Sequence, residues 1–152
     1  MRLSEVVGSR VDDIVLDADQ PHINSTKHFH RGLKTDPSER FFSLVGCSLW
    51  VATRIREHTS SRFCFPRYGS EAKGNSNAAS AAINKWIKTI SGPDAVIRGL
   101  IHGFRDSLRA IEALVDIIDQ LGGWRLSPVG QGYGDGYSLK LRYRWMSNMV
   151  ET

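Results

Sequence analysis

Helical spacing of apolar residues dominates the second half of the chain. Apolar side chains recur three and four positions apart at Ala79, Ala82, Ile83, Trp86, Ile87 and Ile90. An Asn- and Ser-rich start and a closing Ser91-Gly92-Pro93 complete the pattern of a capped amphipathic helix. A second stripe, Phe104, Leu108, Ile111, Val115 and Ile118, predicts one helix from about Gly103 to Leu121, with Gly122-Gly123 as its stop. Ser138 is expected to cap a last helix through Met149.

The first half has shorter apolar runs separated by polar turns. They predict a short helix at 3–8, strands at 11–16, 21–27 and 40–44, and a helix at 47–58, followed by a loop at 62–68 that contains Pro66. The polar segment at 32–39 separates the last two strands, so Lys34 is expected on or beside a hairpin. The sequence therefore predicts an α+β fold, a mainly helical domain with a small three-stranded antiparallel sheet.

Composition is that of one globular domain spanning residues 1–152. Hydrophobic residues make up 41% and charged residues 24%, and no apolar run approaches the length of a membrane span or a signal-peptide core. We therefore expect a cytoplasmic, intracellular protein without a membrane partner. The two cysteines, Cys47 and Cys64, lack C-x-x-C spacing, which favours neither a disulfide framework nor a zinc site. Both are expected to be buried as small apolar residues.

The basic residues are mostly arginines. The net charge is +4, and the 20 basic residues comprise 14 Arg and 6 Lys. Because the planar guanidinium can bind phosphate oxygens through two parallel hydrogen bonds, this bias favours a polyanionic partner. A solvated basic surface would have the same composition, so the charge leaves both interpretations open.

One short motif combines two groups suited to phosphate. His102-Gly-Phe-Arg105 spaces two polar side chains by three residues at the start of the predicted helix, while Phe104 would turn into the core. A helix start supplies free N–H groups and partial positive charge, Arg105 a bidentate clamp, and His102 a further donor. An ordinary polar first turn on a surface helix would look the same, so this motif alone decides nothing.

Further residues extend the motif in a fixed order. Gly123-Trp124 follows the predicted helix, and Tyr133 comes nine positions after Trp124; upstream lie Arg2-Leu-Ser4-Glu5 and Lys34-Thr35-Asp-Pro-Ser38-Glu-Arg40-Phe-Phe-Ser-Leu44. In order and spacing, this set resembles the tyrosine recombinase family, the phage-type integrases. The matching family patterns are G-x-R-x-S-E, K-T-x-x-S-x-R-x-x-x-L, H-x-x-R, and a Gly-His or Gly-Trp pair nine residues before the nucleophilic tyrosine. The resemblance covers almost the whole chain.

The resemblance implies the catalytic domain of a site-specific DNA recombinase or integrase, which cleaves and rejoins strands through a 3′-phosphotyrosyl intermediate. The implied catalytic residues are Tyr133 as nucleophile, Arg2 and Arg105 around the non-bridging oxygens, Lys34 as acid for the leaving 5′-oxygen, His102 in proton transfer, and Trp124 as an indole N–H donor. Glu5 would support the arginine site, although a first-turn helix acid is an equally good interpretation. No metal or other cofactor is implied, because the arginines supply the positive charge.

The implied partners are double-stranded DNA and other recombinase subunits. The family's N-terminal clamp domain and first catalytic helices have no counterpart before Arg2, so we expect an uncovered apolar patch and self-association through it. The alternative is a truncated, non-catalytic relative that binds DNA or a full-length recombinase. A weaker alternative is an unrelated basic nucleic-acid-binding module.

Other polar and aromatic residues have plainer interpretations. Tyr137 does not satisfy the nine-residue spacing and is expected to pack at the start of the last helix, where Tyr143 and Trp145 would be core or intersubunit residues. The histidines His22, His28 and His30 lack an i,i+4 pair and a nearby acidic partner, so zinc binding is not favoured. Phosphate contact or solvation remains open for Lys27, His28, His30 and Arg31, as does phosphate contact or helix capping for Lys73, Asn75 and Asn77.

Overall fold

The computed structural model, which describes residues 1–26, 28, 40–72, 74–124 and 136–151, contains the predicted small sheet and most of the predicted helices. The strand predicted at 11–16 is confined to Ile14–Val15, because Val11–Asp13 form a 3₁₀ turn. The elements are α1 (Leu3–Val7), a 3₁₀ turn (Val11–Asp13), β1 (Ile14–Val15), β2 (His22–Ser25), β3 (Arg40–Ser43), α2 (Gly46–His58), α3 (Ser76–Ser91), α4 (Ile97–Ala110), α5 (Val115–Gly122) and α6 (Leu139–Glu151). This confirms a mainly helical domain with a small three-stranded antiparallel sheet.

The sheet has the order β1-β2-β3, and both pairings are antiparallel. Ile23 at the centre of β2 pairs with Ile14 of β1 and Phe42 of β3. Because side chains alternate along a strand, Ile23 and Ser25 both face inward and are buried. The first core cluster forms where α2 covers this face, and it consists of Ile14, Ile23, Leu44, Ala52 and Cys64.

A second core cluster joins the last three helices. It consists of Leu108 of α4, Ala113 of the turn after α4, Ile118 of α5, and partly buried residues around them that include Phe104, Trp124, Trp145 and Met149. The core position of Phe104 and the packing of Trp145 against the core agree with the sequence analysis. Ser138 caps α6 as expected, since its Oγ accepts a hydrogen bond from the Leu141 amide at 3.3 Å.

The single helix predicted from about Gly103 to Leu121 is wrong, because the chain turns between α4 and α5. Glu112 adopts a left-handed conformation with φ of 56°. The amide of Ala113 donates to the Leu108 carbonyl at 3.0 Å, and the amide of Glu112 donates to the Arg109 carbonyl at 2.9 Å. These two hydrogen bonds form a Schellman motif, stabilised by the packing of Ala113 on Leu108.

Two further expectations change with the observed packing. Val115, assigned to the apolar stripe of a continuous helix, begins α5 instead and is 65% exposed. Cys64 is buried as expected, but Cys47 is exposed because it lies in the solvent-facing first turn of α2. Among the described parts of the chain, none of the helices combines the length and apolarity needed to cross a bilayer.

Candidate functional site

Arg105 and Trp124 are in contact although they lie on opposite sides of the turn between α4 and α5. The Arg105 guanidinium carbon is 5.1 Å from the centroid of the Trp124 ring. Arg105 Nη2 also lies 3.5 Å from Asp119 Oδ1, and the Trp124 amide donates to the Asp119 carbonyl at 2.9 Å. The Arg105 side chain remains 40% exposed. An acid and an indole therefore orient a guanidinium that is still accessible to a ligand.

Arg40 lies between the start of the chain and the end of α5. Its Nη2 is 3.7 Å from Glu5 Oε2, and its guanidinium carbon is 4.7 Å from the centroid of the Phe42 ring. The guanidinium also lies directly on the backbone of Gly123, where a Cβ atom would be 1.9 Å from Nη1. Gly123 has φ of +65°, a left-handed conformation that ends α5. Arg40 thus contacts both α1 and the segment that carries Trp124.

Glu5 is a buried carboxylate at the end of this chain of contacts. It is 3% exposed, and its Oε2 accepts a hydrogen bond from the Arg2 amide at 2.7 Å. The Arg2 side chain is exposed at the N-terminal end of α1. Glu5 therefore serves as a first-turn acid of α1 and also lies beside the Arg40 guanidinium.

Positive groups crowd around Arg40. Arg142 of α6 donates from Nη1 to the Phe41 carbonyl at 3.0 Å, and burial together with the charge of Arg40 lowers the pKa of Arg142. Burial lowers the pKa of the Met1 amine from 8.0 to about 6. The nearby Glu5 raises this pKa by a smaller amount, and Arg40 and Arg2 lower it further. We refer to Glu5, Arg40, Arg105, Trp124 and Arg142 as the arginine–tryptophan cluster.

His102 is exposed and lies in the interior of α4 rather than at its start. Since α4 begins at Ile97, the predicted position of His102 and Arg105 in a helix first turn is wrong. Backbone amides at this point of the helix bond within it, so they add no free donors beside Arg105. What remains of the motif is a histidine and an arginine three residues apart on one helix.

Two of the six predicted catalytic residues, Lys34 and Tyr133, lie outside the described residues. Of the other four, the structure brings Arg105 and Trp124 into contact. Helix α1, which follows Arg2, is connected to the Gly123-Trp124 segment through Glu5 and Arg40.

The histidine at position 28 has an acidic partner that the sequence analysis did not find. His28 Nε2 lies 2.9 Å from Oδ1 of Asp13, which is 5% exposed. His22 Nδ1 lies 2.8 Å from the Gln20 carbonyl. Within the described ranges, His, Cys, Asp and Glu form no group of three or more that could hold a metal ion. Lys27, His30, Arg31 and Lys73 lie outside those ranges, and Asn75 caps α3 by accepting from the Ala78 amide at 3.0 Å.

Arg40, Asp119 and Arg142 were assigned no role from the sequence. Arg40 belongs to the K-T-x-x-S-x-R pattern, so its position in that pattern was the available signal. Asp119 and Arg142 stand in no pattern, and only the folded structure brings them to Arg105 and Phe41. Compared with protein-family models, with curated proteins and with solved structures, the chain has no match.

Proposed function

We propose that the chain is the catalytic domain of a site-specific DNA recombinase of the tyrosine type. The observation that carries this proposal is the contact between Arg105 and Trp124, two members of the predicted set that belong to different elements. The connection from Glu5 through Arg40 to Gly123 gives further support, because it joins three sequence patterns in one neighbourhood.

The environment of Arg105 suits a transition state that gathers negative charge on phosphate oxygens. Asp119 and the indole orient the guanidinium, and its exposed part offers N–H groups to two non-bridging oxygens. Donors that are oriented before the reaction lower the barrier without reorganising during it. The Trp124 indole N–H adds a neutral donor of the same kind.

In the proposed reaction, Tyr133 Oη forms a bond to the scissile phosphorus and the bond from phosphorus to the 5′-oxygen breaks. The products are a 3′-phosphotyrosyl enzyme and a 5′-hydroxyl, and rejoining reverses these changes. A phenol of pKa about 10 must lose its proton as the bond forms, while the leaving oxygen must gain one. His102 would assist the first transfer and Lys34 would supply the second proton.

A nicked suicide substrate tests this proposal, because loss of a short fragment traps the covalent intermediate. The wild-type protein should form an adduct with DNA that resists denaturing electrophoresis, and Tyr133→Phe should form none while shifting the same DNA on a native gel. Tyr137→Phe is the matched control and should retain the adduct. A wild-type protein that shifts DNA but traps none would instead support a non-catalytic DNA-binding relative. Absence of both signals would refute DNA recombination and DNA binding together.

A further inference from the structure

The Arg40 guanidinium is held by three partners at once. Glu5 lies 3.7 Å from one nitrogen, the centroid of the Phe42 ring lies 4.7 Å from the guanidinium carbon, and the guanidinium lies against the Gly123 backbone. The Arg40 side chain is 20% exposed and that of Glu5 only 4%. Because a buried carboxylate is strongly destabilised without a positive partner, Glu5 restrains Arg40 electrostatically.

The contact with Gly123 is steric. A Cβ atom at Gly123 would be 1.9 Å from Nη1, 2.4 Å from Cζ and 2.5 Å from Nη2 of Arg40, so the guanidinium covers the space that any other side chain would need. Trp124 is the next residue, and its ring is the surface on which Arg105 lies. A displacement of Arg40 therefore changes the room available to Gly123 and, through it, the position of the indole.

We infer that Arg40 is a positioning residue, which fixes Trp124 and Arg105 relative to the helix that follows Arg2. The expected effect of Arg40 on DNA cleavage rests on the proposed function, whereas its expected effect on the position of Trp124 does not. Lysine is a poor substitute, because a single ammonium group cannot face Glu5, the Phe42 ring and Gly123 together as a planar guanidinium does.

Fluorine NMR of protein labelled with 5-fluorotryptophan tests the structural consequence without DNA. The four tryptophans give four resonances, and Trp124→Phe identifies the one that belongs to Trp124. Arg40→Ala should move the Trp124 resonance. Arg54→Ala is the matched control, since it removes another arginine that lies over a tryptophan, 5.5 Å from the Trp50 ring. It should move the Trp50 resonance and leave that of Trp124 in place. An unmoved Trp124 resonance in Arg40→Ala would overturn the inference.

A double-mutant cycle tests the steric part. Gly123→Ala places a methyl group against the Arg40 guanidinium in a left-handed backbone conformation, so its denaturation midpoint should fall. In Arg40→Ala/Gly123→Ala the clash is removed and only the backbone strain remains. The double variant should therefore lose less stability than the sum of the two single variants. Strictly additive losses would show that the two residues do not constrain each other.

Single-turnover cleavage of saturating suicide DNA tests the catalytic part. Arg40→Ala should cleave about 10²-fold more slowly while its Kd for DNA stays within about threefold of wild type, because a misplacement of about 1 Å at reacting groups costs that much rate. Added guanidinium ion should restore part of the cleavage rate of Arg40→Ala. Arg40→Lys should also cleave slowly, and it replaces Arg40→Ala in this experiment if the alanine variant unfolds. A wild-type rate in Arg40→Ala, or a loss that guanidinium does not reverse, would overturn the positioning role. A wild-type protein without cleavage would refute the proposed function alone, since the fluorine and stability measurements would still decide the role of Arg40.

Discussion

Substituting Arg105 by lysine separates a role in phosphate binding from a role in structure. The charge beside Asp119 is retained, so the partly exposed ion pair, worth about 0–1 kcal/mol, largely survives. Part of the cation–π contact with Trp124 is lost, which is worth about 0.5–1 kcal/mol at an exposed site. We therefore expect the free energy of unfolding to fall by at most about 1 kcal/mol, equivalent to no more than about 2–4 °C in Tm for a chain of this size.

The effect of the same substitution on DNA cleavage should be much larger. Lysine cannot give two parallel N–H donors to two phosphate oxygens, and loss of one such donor typically costs roughly 10²–10³ in rate, or about 2.7–4 kcal/mol. Single-turnover adduct formation on suicide DNA measures the rate, and thermal melting by circular dichroism measures the stability. We expect the loss in cleavage rate, expressed as a free energy, to exceed the loss in the free energy of unfolding.

Asp119→Asn is the control for this experiment, because it removes the same ion pair and keeps the guanidinium. We expect it to lower Tm by a similar amount and to slow cleavage less than tenfold. If Arg105→Lys cleaves within about threefold of wild type, or if Asp119→Asn loses as much activity as Arg105→Lys, then Arg105 acts only through its structural contacts.

Four further outcomes are expected. Leu108→Ala, at a fully buried position of the second core cluster, should lower the free energy of unfolding by about 2–5 kcal/mol in denaturant titrations, whereas Leu100→Ala, 64% exposed, should change it by less than about 0.5 kcal/mol. Glu112→Gly should stabilise the protein by about 0.5–1 kcal/mol in thermal melting, since glycine relieves the left-handed conformation of Glu112; a fall in Tm would contradict this. The free energy of unfolding should rise from pH 6 to pH 8, because the pKa of the Met1 amine is about 6 in the folded protein and 8.0 in the unfolded chain. Between these two values the unfolded chain binds the extra proton, so raising the pH favours the folded state. Acetylation of the amine should remove this rise. DNA affinity should fall steeply with added salt in fluorescence anisotropy, and an affinity indifferent to salt would exclude phosphate contacts as the main attraction.

Strong local patterns predicted most of the fold. The three strands, the helix that became α2 and the cap of Ser138 on α6 follow from apolar spacing and turn residues, whose effects act over a few neighbours. The turn at Glu112 was not predictable in this way, because no glycine or proline interrupts the apolar stripe between α4 and α5. The turn depends on Ala113 packing against Leu108, and that contact exists only after the chain has reversed.

The candidate site divides along the same line. Arg105 and Trp124 were singled out through the resemblance, and the structure places the two side chains in contact. The partners that orient them were not predicted, since Asp119 and Arg40 come from elements whose relative position depends on tertiary packing. Sequence patterns therefore indicated Arg105 and Trp124, whereas the contacts with Asp119 and Arg40 are defined only by the folded chain.

The eight-residue helix α5 sets the distance along the chain between Arg105 and Trp124 of the arginine–tryptophan cluster. Arg105 lies before this helix and Trp124 immediately after it, so the indole reaches the guanidinium only for one helix length. Deleting a single residue from α5 would rotate everything beyond it by about 100° and shorten it by about 1.5 Å. The interval between the H-x-x-R and Gly-Trp patterns is therefore a geometric requirement of the fold, and insertions or deletions there should be far less tolerated than in an ordinary connecting loop.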